Sequence, residues 1–95
     1  MIEELKKVLE KRLPEYRIEI AELSQLHFIP KRGYKIHAIL SIAGSRVVLW
    51  FAKDCRFGSV QKILNTFKPI SWKYNGIVFE IPTTKLKDIN GGGWD

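Results

Sequence analysis

Between Tyr34 and Ala52 the chain runs through two apolar-rich stretches, YKIHAILSI and RVVLWFA, separated by Ala43-Gly44-Ser45. Alternation around a short glycine turn predicts a β-hairpin. A two-residue turn at Gly44-Ser45 sets Ile42 opposite Val47, Leu40 opposite Leu49 and Ala38 opposite Phe51. These pairs make one apolar face, continued by Ile36 and Tyr34. The other face then carries Lys35, His37, Ile39, Ser41, Arg46, Val48 and Trp50, with base and aromatic side by side.

Upstream, Ile2, Leu5, Val8, Leu9 and Leu13 fall at helical spacing and form one stripe. Glu3 and Glu4 suit the positive end of that helix and Lys11 and Arg12 its negative end. Pro14 stops it. Residues 15–23 alternate again, with Tyr16, Ile18 and Ile20 on one side of a strand. The connection SQLHFIPKRG has a polar turn at its end and an apolar middle, Leu26 to Ile29. That middle either packs as a short edge strand or offers apolar surface to a partner.

Downstream of the hairpin, Ser59 is the expected cap of a second helix whose core stripe is Val60, Ile63, Leu64 and Phe67. Asn75-Gly76 predicts a second hairpin pairing Tyr74 with Ile77, Trp72 with Phe79 and Ile70 with Ile81. On this register Trp72 packs inward against Phe79. A short closing helix is expected over residues 83–89. The expected architecture is α+β over residues 1–90: an antiparallel β-sheet with two helices packed on one face, in the order α-β-β-β-α-β-β. Residues 91–95, GGGWD, form a glycine-rich tail with a terminal Trp-Asp.

The length of 95 residues sets one domain. No apolar run reaches the roughly 18 residues that cross a bilayer, and the mixed-charge N-terminus is not a signal peptide. A single cysteine, Cys55, excludes an internal disulfide and a four-cysteine zinc site. The expected address is cytoplasmic.

Charge changes the picture more. Residues 1–22 hold six acids and five bases, a balance of −1, whereas residues 23–79 hold nine bases against Asp54 alone, a balance of +8. So lopsided a block implies a positive surface and an anionic partner.

The order α-β-β-β-α-β resembles the core of restriction-type nucleases, which hold a metal with clustered acids including a Glu-x-Lys strand. The matching strand, Arg46 to Phe51, has no acid, so this activity is excluded and no metal or cofactor is expected. A metal-independent ribonuclease is a further alternative, resting on His37, His27 and the scattered bases. Cys55, beside Arg56 near a helix start, is placed where a thiolate is favoured, but without a histidine partner the expectation is a plain packed cysteine. Over residues 2–67 the element order also resembles the double-stranded RNA-binding domain. That family grips phosphates with lysines clustered at its second helix. Here Lys53, Arg56 and Lys62 stand at the matching place, spread apart.

Single-strand binding suits the chain best. It requires cations along a groove and aromatics for bases to stack on. Lys31, Arg32, Lys35, Arg46, Lys53 and Arg56 supply the cations, with His37; Trp50, Tyr34 and Phe28 supply the platform. The expected function is therefore binding of single-stranded DNA or RNA through a basic and aromatic sheet face, without catalysis and without a membrane. The competing class is a small viral or mobile-element protein that docks on an acidic host protein surface, with Leu26 to Ile29 and Trp94 as anchors. A homodimer through the same patches is equally compatible.

Overall fold

A computed structural model describes residues 2–68 and 70–85. The first helix, α1, spans Ile2–Arg12, and the strands β1 (Tyr16–Ala21), β2 (Gln25–Pro30), β3 (Ala38–Ala43) and β4 (Arg46–Phe51) follow. Helix α2 is Phe57–Thr66, and β5 (Lys73–Tyr74), β6 (Phe79–Pro82) and a 3-10 turn at Thr83–Lys85 complete the order. The class is α+β, with one six-stranded sheet in the order β1-β2-β3-β4-β6-β5 and every pairing antiparallel. Four strands precede α2, one more than expected, because the apolar segment of the connection is a strand. It is also no edge strand: β2 lies between β1 and β3. The extra strand removes the topological likeness to the double-stranded RNA-binding domain.

The central hairpin has the register its turn dictates. Ile42 faces Val47, Leu40 faces Leu49, Ala38 faces Phe51 and Ile39 faces Trp50. Gly44 sits at φ 61°, which the tight turn needs and a side chain resists. The β1–β2 turn meets the same demand without glycine, placing Glu22 at φ 50° and Leu23 at φ 64°.

The second hairpin differs from expectation by two residues. Tyr74 pairs with Phe79 and Lys73 with Glu80, not Tyr74 with Ile77. The Asn75 side-chain oxygen accepts the backbone N–H groups of both Ile77 and Val78 at 2.9 Å, which widens the turn. A slip of two preserves the faces. It also leaves Trp72 short of the strand. Its ring meets Phe67 edge-on at 5.2 Å rather than Phe79, whose ring partners are Phe51 and Tyr74.

One buried cluster holds the fold together. Leu5, Leu9 and Leu13 of the first helical segment and Ile63 and Phe67 of the second join Ile18, Leu26, Phe28, Leu40, Val47, Leu49 and Ile81 from the strands. Alternation puts Arg17, Glu19, His27, Ile39, Val48 and Trp50 on the opposite side of the sheet. No helix among the described residues is long and apolar enough to cross a membrane. The tail at 91–95, and the closing helix beyond Lys85, lie outside the described residues.

Candidate nucleic-acid interface

Three segments meet at one end of the sheet: the start of β1, the loop between β2 and β3, and the first turn of α2. Between them lies a concave space of about 680 Å³. β1 contributes Glu15 and Tyr16. The loop contributes Lys31, Arg32 and His37, and the helix Arg56, Gly58, Ser59 and Lys62. The loop is fixed at both ends by backbone hydrogen bonds, Lys31 N–H to the Glu15 carbonyl at 3.0 Å and His37 N–H to the Phe28 carbonyl at 2.8 Å.

Within this space Tyr16 is the hub. Its hydroxyl lies 3.0 Å from Nδ1 of His37, and the two rings meet edge-on at 5.7 Å. Burial pushes the Tyr16 phenol above its usual pKa, and a hydrogen bond from the Ser59 side chain opposes that shift. The Tyr16 hydroxyl and His37 Nδ1 thus share one hydrogen bond, whose donor follows the imidazole tautomer. Lys62 pairs with Glu15 across the helix–strand gap. Among the described residues Lys31, Arg32 and Arg56 carry no ion pair; the pairs formed use Lys6, Arg17, Lys35, Arg46 and Lys62.

Helix α2 begins bare. Arg56 is its N-cap with no side-chain cap hydrogen bond, and no acid lies in its first turn. Ser59, the expected cap, lies inside the helix instead. The first N–H groups of a helix have no partner within it, and their dipoles favour an anion.

The residues expected on one sheet face are divided. Lys31, Arg32, His37 and Arg56 are brought together around the pocket. His37 lies just ahead of β3, where the chain leaves strict alternation, so it turns toward Tyr16 and away from Trp50. Trp50 is 37% exposed on the opposite side of the sheet. Lys35 pairs with Asp54 at 3.4 Å, and Arg46, at the far end of β4, pairs with Glu80 at 3.0 Å. Both acids come from outside the hairpin, which is why the hairpin alone suggested unpaired bases. Lys53 is exposed in the turn after β4. Phe28 is fully buried, since β2 sends it into the core opposite Ala38. It cannot bracket a platform.

Tyr34, in the same loop as Lys31 and Arg32, is 95% exposed. Phe57 sits between the pocket residues Arg56 and Gly58 and is 76% exposed. Sequence reasoning passed over Phe57, read Tyr16 and Ser59 as structural, and met Lys62 only through the likeness to the double-stranded RNA-binding domain. Only the exposed aromatic beside Arg56 at a helix start carried a local signal; the others depend on how distant segments meet.

The histidines do not form an acid–base pair. His27 lies across from Glu19 and places Nε2 3.2 Å from the Gln25 side-chain oxygen, on the other side of the sheet from His37. Burial, then the nearby Asp54 carboxylate, push the Cys55 thiol upward, against the thiolate that Arg56 alone would favour. Among the described residues no three His, Cys, Asp or Glu side chains gather to hold a metal ion. Comparison with protein-family models, curated proteins and solved structures finds no match, so the pocket is read from its own chemistry.

Proposed function

We propose that the protein binds single-stranded nucleic acid at this basic end, with both helices on the core side of the sheet and the pocket at their rim. One observation carries the reading. Lys31, Arg32 and Arg56, drawn from two separate segments and free of ion pairs among the described residues, converge on one concavity beside an uncapped helix start. Phosphate oxygens satisfy both kinds of donor. Tyr34 and Phe57 then stand where bases leaving the phosphates meet a π-face, which works for any base and needs an unpaired strand.

The test is fluorescence anisotropy with DNA and RNA single strands and their duplexes at low salt. Single strands are expected to bind more tightly than duplexes. Tyr34→Ala and Phe57→Ala should each cost about 1–3 kcal/mol of affinity, while Trp50→Ala, on the opposite side of the sheet, leaves binding unchanged. Absence of binding to every strand at low salt refutes the reading and favours an acidic protein partner.

A further inference from the structure

We infer that the pocket seats a terminal phosphate, the phosphomonoester at the end of a nucleic-acid strand. This rests on the strand binding proposed above and gives it a polarity. The cations Lys31, Arg32, Arg56 and Lys62 face one carboxylate, Glu15, which Lys62 already holds, leaving a balance of +3. An internal phosphodiester brings a single negative charge and two free oxygens, so two of those cations would stay uncompensated. A terminal monoester carries a charge of about −1.5 to −2 near neutral pH and three free oxygens.

The donors match a three-oxygen group. Arg32 and Arg56 offer planar forks suited to paired phosphate oxygens. Lys31 offers a mobile point charge. His37, held by its 3.0 Å contact with the Tyr16 hydroxyl, adds an imidazole edge to the same lining. The free N–H groups at the start of α2 add to these and do not carry the site by themselves. A space of about 680 Å³ holds a whole nucleotide rather than a lone ion. Tyr34 and Phe57, exposed and close in sequence to lining residues, would provide a face for the terminal base.

The experiment compares one short single strand in three forms, carrying a 5′-phosphate, a 3′-phosphate or neither, in anisotropy competition at fixed salt. One phosphorylated form is expected to bind about tenfold to a hundredfold more tightly than the unmodified strand. That advantage should vanish in the R32A/R56A double variant, whose two side chains are exposed and whose fold is checked by circular dichroism. Inorganic phosphate should weaken the phosphorylated form more than the unmodified strand and so erase the advantage. Equal binding of the three forms overturns the terminal-phosphate assignment and leaves strand binding standing. No binding of any form at low salt overturns both. A free nucleoside monophosphate that competes as well as the phosphorylated strand assigns the pocket to a mononucleotide and overturns the strand end.

Discussion

Lys31, Arg32 and Arg56 set a number for the salt dependence with which a strand lacking a terminal phosphate binds. If each then neutralises one internal phosphate, log affinity falls with log salt at a slope of about −2.1, from about −0.7 per phosphate on a single strand. Between 50 and 200 mM salt, affinity then drops roughly 18-fold. Lys62, Lys35 and Arg46 are left out of the count because each is engaged with an acid: Glu15, Asp54 and Glu80. Arg32→Ala removes one phosphate contact from an exposed position. The slope should flatten to about −1.4 and the drop shrink to about sevenfold. Arg46→Ala removes the same charge from the far end of β4 and should leave the slope near its parental value. Anisotropy titrations of a labelled single strand at several salt concentrations between these limits give all three slopes. A slope unmoved by Arg32→Ala, or flattened equally by Arg46→Ala, refutes the convergence of phosphates on this pocket.

Two further outcomes concern the fold. Phe67 is fully buried in the core cluster, so Phe67→Ala should cost about 3–5 kcal/mol in urea unfolding. Trp72→Ala should cost less, since Trp72 is half-buried and its indole N–H is buried without a partner among the described residues; equal costs would refute the packing order. Tyr16 has its phenol pKa raised by burial, so the folded state holds this proton more tightly than the unfolded chain does. Its contribution is complete below the unfolded phenol pKa of about 10 and is lost as pH rises through the higher folded value. Tyr16→Phe should therefore flatten the alkaline loss of stability measured by denaturant titration; an identical alkaline profile would show that Tyr16 does not titrate on unfolding.

Between Ala38 and Phe51 the central hairpin was legible because its signals are local, a glycine at the turn and apolar residues at every second position on either side; Tyr34 to His37, read as part of the same strand, precede it. β2 was not. Leu26 and Phe28 enter the core while Ile29, pointing the other way, is only 5% exposed, so the strand lacks alternation. Its leading turn uses Glu22 and Leu23 in left-handed backbone, where no glycine or asparagine announces it. The basic composition pointed to an anionic partner, yet the sharing of bases between faces depends on partners distant in sequence. Glu80 reaches Arg46 across 34 positions, and Lys62 reaches Glu15 across 47. The pocket itself has no contiguous signature, since it forms only where the start of β1, the loop before β3 and the start of α2 meet.

The two rims of the sheet are unequal, and this bears on how copies of the chain meet in solution. A rim strand exposes unpaired backbone groups that another strand can join. On one side β5 has only two residues, Lys73 and Tyr74, too short to template an added strand. On the other, β1 runs for six residues, Tyr16–Ala21, with nothing beyond it in the sheet order. Its outward-facing pair, Arg17 and Glu19, is joined by an ion pair of 2.6 Å. Charges of this kind on a border strand discourage an incoming chain, which would have to desolvate them. The chain thus guards its long border with charge and its other border with brevity.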